Sequence, residues 1–431
     1  MRIGVDGYNM AMPTGTGVAT YGVGLVQTLR SMGHRVEGVF GIDVGDDPRL
    51  REVLFFDNFA RDEKDRRKRR KWDRRARAAI DVVRGWAGAD AQEVTLSGHV
   101  ETAAFAGRLP VFDRLVSSAD LFERAHRHFS LFGRFLTLTM PDPPEIMHWT
   151  YPVPIRLKGA KNIYTLHDLV PLRLPYTTLD VKKTYHRMIE HCVREADHIC
   201  TDSEASRNDI LAMFDARPDR VTNTYLVPPS SGSALAADPA DDAAIIAGTF
   251  GLAPQSYFLY FGAVEPRKNI GRLIEAYLSL NSQSSFVIVG AKAWSSDGDL
   301  KLLNSGAYGP AADRILRLSY LPRETLLRLI RGARAVVFPS LYEGFGLPVL
   351  EAMQLGTPVL TSDISSMPEV AGDAAMLVDP YAMKSIVAGL RALDDDAALR
   401  ARLGAAGPAQ AAKFSQARFA DTLAGIYARL G

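Results

Sequence analysis

The chain has 431 residues, 47% hydrophobic and 23% charged, with 51 Lys and Arg against 49 Asp and Glu. At about 150 residues per domain that length implies two or three domains, and the composition excludes a collagen-like, coiled-coil or wholly disordered chain. Near-neutral charge excludes an obligate nucleic-acid binder, two cysteines exclude a disulfide framework, and no apolar run reaches the 18 residues a spanning helix needs.

The chain enters a strand directly at residues 2–6, without a signal-peptide pattern, so a cytoplasmic protein is expected. The loop Pro13-Thr14-Gly15-Thr16-Gly17 leads into a helix expected over 18–32, with Val18, Tyr21, Leu25, Thr28 and Leu29 on one stripe. Gly33 ends it, and 35–40 reads as a second strand, a βαβ opening. Residues 43–144 are expected to be helical, although the pattern places no element there. Strands follow at 145–148, 162–166, 198–201 and 221–226, with helices at 179–195 and 204–214. Pro, Ser and Gly at 228–233, then an Ala/Asp-rich run to Ala244, read as a linker.

The alternation restarts with a strand at 257–263, a helix at 269–280 and a strand at 286–290. A helix at 323–331, a strand at 333–338, a helix at 347–355 and strands at 358–361 and 375–378 complete it. Two strand–helix blocks imply an α/β chain of two Rossmann-like domains, with parallel sheets facing a cleft. The expected domains are 1–235 and 245–410, with a terminal helix at 414–430 crossing back onto the first. Ligands of such sheets sit at the carboxyl ends of strands, so the loops just after strands carry the information.

The sharpest of these loops is Pro339-Ser340-Leu341-Tyr342-Glu343-Gly344-Phe345-Gly346-Leu347-Pro348-Val349-Leu350-Glu351-Ala352. Pro348 suits a first helical turn, so residues 344–347 present N–H groups at a helix start. Gly344 and Gly346 allow a ligand close to the backbone. Glu343 and Glu351 are two carboxylates that can accept hydrogen bonds from the diols of a sugar or a ribose. A second loop, Glu265-Pro266-Arg267-Lys268-Asn269, places two cations before a helix, where they can neutralise a diphosphate. On pattern alone, either loop could be an ordinary capped turn.

Together, in this order and spacing, the two loops resemble glycosyltransferase family 4, of the GT-B fold. The resemblance also takes in Ser319-Tyr320-Leu321-Pro322, Ser362-Asp363-Ile364-Ser365-Ser366-Met367-Pro368-Glu369, His167-Asp168-Leu169 and Thr201-Asp202-Ser203-Glu204-Ala205-Ser206. It implies that Glu343 holds the donor sugar's hydroxyls and that Gly344, Phe345, Gly346 and Leu347 form a backbone cradle. It implies that Glu351 binds the ribose, that Arg267 and Lys268 clamp the diphosphate, and that the Tyr320-Leu321 backbone reads the base. His167 matches the family histidine near the anomeric carbon. Gly15, Thr16 and Gly17 resemble the glycine loop that approaches phosphate from the first domain, in a form departing from the commoner Gly-Gly.

The reaction so implied is retaining transfer from a nucleotide sugar to a saccharide or lipid-linked saccharide, with no metal and no cofactor. Its resemblance to bacterial mannosyltransferases of polysaccharide and lipopolysaccharide synthesis favours GDP-mannose, ahead of UDP-hexoses. A non-catalytic nucleotide-binding relative is the alternative from another class. A Rossmann dehydrogenase would want G-x-G-x-x-G after the first strand, but Thr20 stands where the third glycine belongs.

Two other features bear on the acceptor. His148-Trp149-Thr150-Tyr151-Pro152 could stack a sugar on Trp149 or Tyr151, with Asp168 on the same side, or could equally be plain packing beside a turn. The run from Arg61 to Arg77 holds 11 Lys and Arg against four Asp and Glu. It reads either as a solvated helix or loop, or as a contact with a phosphorylated acceptor or with an anionic membrane surface at the inner face of the plasma membrane.

Overall fold

A computed structural model of the chain describes residues 1–12, 17–61, 88–228, 238–291 and 309–431. Among the described residues the first half builds an eight-stranded sheet. Its spatial order is Val221–Asn223, His198–Thr201, Lys161–Thr165, Ile146–Trp149, Arg2–Asp6, Arg35–Phe40, Arg114–Ser117, Gln92–Val94. Every pair is parallel except the last, where Gln92–Val94 runs antiparallel along the edge. Ala89–Asp90, Leu136–Thr139 and Ile155–Leu157 form a small parallel sheet beside it.

The second half builds a six-stranded parallel sheet in the order Ile315–Leu318, Ser285–Val289, Tyr257–Phe261, Ala335–Phe338, Val359–Ser362, Met376–Val378. Its central strand, Tyr257–Phe261, is buried at every position, as expected of a strand covered by helices on both faces. The carboxyl ends of both sheets face one cleft, which sets the loops after Tyr257–Phe261 and Ala335–Phe338 opposite the loop after Lys161–Thr165.

Three expectations need correction. Residues 43–144 do contain the helices Arg51–Ala60 and Leu121–Phe132, but also the strands Gln92–Val94, Arg114–Ser117 and Leu136–Thr139. Segments of three or four residues are too short to show a period. The strand expected to reach residue 226 ends at Asn223, and Tyr225 turns into the left-handed region at φ 58.

The run read as linker up to Ala244 is helical from Pro239 to Phe250. Asp238 caps that helix by accepting from the Ala240 N–H, and Asp241 and Asp242 stand in its first turn, where the helix dipole favours negative charge. Asp242 reaches Arg331 at 2.8 Å, which fastens this helix to Arg323–Gly332 of the second domain.

The terminal helix Gln416–Leu430 lies on the first domain. Tyr427 bonds its hydroxyl to His148 Nδ1 at 2.8 Å, and Phe419 meets Tyr21 edge-on. No helix among the described residues is long and apolar enough to cross a membrane.

Candidate active site

The turn that bears Arg267 and Lys268 follows the strand Tyr257–Phe261. Residues Pro266–Lys268 form a single 3-10 turn, and Asn269 takes a left-handed conformation at φ 63 before the helix Ile270–Leu280. The Asn269 amide then donates to the carbonyls of Pro339 at 3.0 Å and Pro380 at 2.8 Å. The Leu341 N–H donates to the Arg267 carbonyl at 2.8 Å. One turn is thus stitched to two other loops.

That stitching brings the two sequence motifs into contact. Arg267 Nη1 donates to Glu343 Oε2 at 2.8 Å, and Lys268 Nζ donates to Glu343 Oε1 at 2.5 Å. Arg267 Nε also donates to Glu265 at 2.8 Å. Burial alone would raise the Glu343 carboxyl, but Arg267 and Lys268 outweigh it and hold the group below the usual carboxylate range. Burial, aided by Arg267, draws the Lys268 ammonium below its ordinary value. Arg267 stays firmly charged, because its acidic neighbours outweigh its burial.

The Glu343 loop is held from behind by serines. Ser366 Oγ donates to the carbonyls of Glu343 and Phe345, both at 2.9 Å, and Ser365 Oγ donates to the Glu343 carbonyl at 2.7 Å. Gly344 lies against the first domain, where an added Cβ would stand 2.6 Å from the His167 carbonyl oxygen. Gly346 has φ 113, a region that disfavours a side chain. Phe345 contributes backbone only, since its ring is buried against Phe414 and Tyr225.

Glu351 is buried inside the helix Leu347–Gln354 and bonds Arg323 at 2.8 Å. Burial raises its carboxyl, with Arg323 partly offsetting. Tyr320 is 81% exposed and Leu321 is half-buried, directly before Arg323. Sequence reasoning missed Arg323, although its place just after Tyr320-Leu321-Pro322 was visible.

On the first domain, His167 and Asp168 follow the strand Lys161–Thr165. His167 Nδ1 meets Asp202 at 2.6 Å and its Nε2 meets the Thr150 carbonyl at 2.7 Å. Asp168 accepts from the Val170 N–H at 3.0 Å, and burial raises its carboxyl against the pull of Arg267. Tyr151 is partly exposed, with its ring 6.4 Å from that of His167.

Trp149 corrects the stacking expectation. It is 0% exposed, packs on Tyr164 and donates its indole N–H to Asn162 at 3.0 Å, so it offers no face to a sugar. Gly17 begins the helix Gly17–Ser31 and borders a cavity of about 470 Å³ that also touches Leu347 of the second domain. Gly15 and Thr16 lie outside the described residues, as does the basic run from residue 62 to 77.

Both domains meet through these same loops. The Tyr342 hydroxyl donates to Asp209 at 2.6 Å. The Glu369 carboxylate accepts from the N–H groups of Glu204 and Ala205, both at 2.9 Å, at the start of the first domain's helix Glu204–Met213. These contacts were not legible in the sequence, because neither partner marks the other.

Residues 251–410 match the family model described as "Glycosyl transferases group 1". The chain is 36% identical over 269 residues to O-antigen chain mannosyltransferase B of Escherichia coli, covering 61% of this chain and 68% of that one. It is 30% identical over 291 residues to the serotype-specific mannosyltransferase WbdA of Escherichia coli, covering 65% of this chain but only 35% of that protein. Among solved structures, sucrose-phosphate synthase from Thermosynechococcus elongatus aligns over 100% of this chain and 99% of its own, with TM-score 0.66 at 15% identity. Anabaena HepE, in complex with UDP and glucose, aligns over 100% of both chains with TM-score 0.65 at 15% identity. These structural likenesses give the fold, which is GT-B. With that fold, the matched model and a relative covered over two thirds of its length, the chain belongs to the group 1 glycosyl transferases.

Proposed function

We propose that the chain is a family 4 enzyme that transfers mannose from GDP-mannose, with retention and without a metal, to a saccharide or lipid-linked saccharide in bacterial surface-polysaccharide synthesis. The observation that carries the chemistry is the buried Glu343 between Arg267 and Lys268. The choice of mannose leans on the relatives, which are named as mannosyltransferases.

In this reading the donor's diphosphate takes the two cations from Glu343. Arg267 supplies a planar fork and Lys268 a point charge, and both stabilise the negative charge that grows as the nucleoside diphosphate departs. The freed Glu343 turns to the sugar's hydroxyls. Glu351 takes the ribose diol, the Tyr320–Leu321 backbone takes the base, and the amides at Gly344–Leu347 line the sugar.

Glu343 is not a glycosidase-type nucleophile, since its carboxylate is committed to the clamp and then to hydroxyls. A departing phosphate oxygen accepts the acceptor's proton on the same face that the leaving group vacates. Tyr151 and Asp168 form the acceptor side. The basic run from Arg61 to Arg77 holds the enzyme on the inner face of the plasma membrane.

The test is a donor panel with a saccharide acceptor, plus a calorimetric titration of GDP against UDP. Transfer from GDP-mannose that persists in chelator, with an α-linked product, supports the reading. Tighter UDP binding with transfer only from a UDP-hexose overturns the donor, and donor turnover that requires a divalent cation overturns the metal-free clamp.

A further inference from the structure

His167 is anchored at both ring nitrogens. Nδ1 lies 2.6 Å from a carboxylate oxygen of Asp202, and Nε2 lies 2.7 Å from the Thr150 carbonyl oxygen. A carbonyl can only accept, so Nε2 carries a hydrogen. Against an ionised carboxylate, Nδ1 carries one as well. Thr150 is itself held on its other side, where its N–H donates to the buried carboxylate of Asp6. A chain of contacts therefore runs from Asp6 through Thr150 and His167 to Asp202, and only 13% of the His167 side chain stays exposed.

We propose that Asp202 is a positioning residue that holds His167 as a doubly protonated, doubly anchored imidazolium in the wall of the cleft, so that His167 serves the reaction as a fixed charge and never as a proton acceptor. This rests on the transfer reaction proposed above. The backbone of the same residue touches the sugar loop, since the His167 carbonyl lies against Gly344 and accepts from Ser206 Oγ at 2.9 Å. With both nitrogens donating, the ring has no lone pair to offer an acceptor hydroxyl. It acts through charge, or by turning one N–H from Thr150 to a ligand oxygen. A cation at this point adds to Arg267 and Lys268 in favouring a departing diphosphate.

The surroundings agree in sign. Burial opposes the charged ring, but Asp202, the Thr150 carbonyl and Asp168 outweigh it and raise the imidazole above its ordinary value. The other groups facing the ring are Tyr21 on the helix Gly17–Ser31, perpendicular to it, Tyr151, and neutral His148 on the strand Ile146–Trp149. From the second domain, Arg267 and Glu343 bear on neighbouring Asp168 with opposite signs. Asp202 is thus the one carboxylate among these groups that bonds the ring directly.

The test uses full-length protein with ¹⁵N-labelled histidine, the His167 signals being those lost in His167→Gln. Wild-type protein should show two pyrrole-like nitrogens for His167 at pH 7. In Asp202→Asn the deprotonation midpoint should fall by at least one pH unit, about tenfold in proton affinity. Asp202→Glu should restore it. If transfer is detected, its alkaline limb should move with the same midpoint in both variants.

A neutral His167 in wild-type protein at pH 7 overturns the proposal without any variant needing to fold. So does an unchanged His167 titration in Asp202→Asn, or a uniform loss of transfer with an unmoved pH profile. The nitrogen spectrum is independent of donor and acceptor, so its failure is separable from failure of the proposed reaction.

Discussion

Lys268 Nζ lies 2.5 Å from Glu343 Oε1, so the cation of one loop is held by the carboxylate of the other. Glu265, Arg267, Lys268 and Glu343 together carry two positive and two negative charges, and the site rests neutral before a donor arrives. In the proposed reaction a diphosphate competes with Glu343 for Arg267 and Lys268 and exchanges places with it. On that proposal the exchange releases Glu343 toward the sugar and links donor binding to assembly of the site.

From this exchange, Glu343→Gln should bind free nucleoside diphosphate at least as tightly as wild type. The charged competitor for Arg267 and Lys268 is gone. Transfer should fall, because a neutral amide replaces the charged acceptor of the sugar's hydroxyls, a loss of roughly 1–3 kcal/mol. Calorimetric titration of diphosphate and single-turnover transfer check this, and weaker diphosphate binding in Glu343→Gln would contradict the exchange.

Arg267→Ala and Lys268→Ala should each slow transfer on the order of 10²–10³-fold, the scale for removing one preorganised group from a developing negative charge. Each variant also leaves Glu343 with a single cation. Steady-state transfer rates with saturating acceptor measure the effect, and normal turnover in both would place the clamp elsewhere.

Glu351→Gln should weaken donor and free nucleotide alike, since the ribose is present in both. Arg323→Ala should give a different signature. It leaves the buried Glu351 carboxylate unpaired, raising that carboxyl further and lowering stability. Thermal unfolding with and without nucleotide should show a larger destabilisation for Arg323→Ala than for Arg323→Ala combined with Glu351→Gln.

Glu369→Ala should open the cleft. It removes a carboxylate from two N–H groups at a helix start, a contact of about 1 kcal/mol and about fivefold in the closed population. Small-angle scattering should report a larger radius of gyration for the ligand-free variant. An unchanged radius and unchanged kcat/KM would mean that the remaining contacts, Tyr342 on Asp209 among them, set the domain contact.

Acid should loosen the seat of the terminal helix. Burial holds the His148 imidazole down to about 3, with His198 and His167 adding, and burial beside Arg429 holds His198 down to about 4. In the unfolded chain both take a proton near pH 6.5, so the unfolded state binds more protons and stability falls from there toward pH 4. Asp6, pushed up to about 6 by burial, works in the opposite sense, as the folded protein protonates it first. Asp168, Glu351 and His167, also raised by the fold, act with Asp6, so the variant isolates His148 and takes away its share of the acid loss. The drop in Tm from pH 7 to pH 5 should therefore be smaller in His148→Gln than in wild type.

The repeated strand–helix alternation and the two loops that bear Arg267, Lys268 and Glu343 are legible in the sequence alone. Continuous apolar runs such as Tyr257–Phe261 and Ala335–Phe338 mark strands buried on both faces, and the loops between Pro339 and Ala352 and around Arg267 carry their chemistry within a few residues. Signals of that kind are local, so spacing alone reveals them. Trp149 was the reverse case: an aromatic beside a turn looks the same whether its N–H finds Asn162 or a ligand. Only in the folded chain does Glu343 grip Arg267 and Lys268 from 76 and 75 positions away, and Asp202 reach His167 across 35. Only there does Glu369 cap a helix of the other domain, 165 and 164 positions distant. Such pairings arise only when parallel strands bring their carboxyl ends together, because a charged side chain in sequence carries no mark of the partner that burial will oblige it to find.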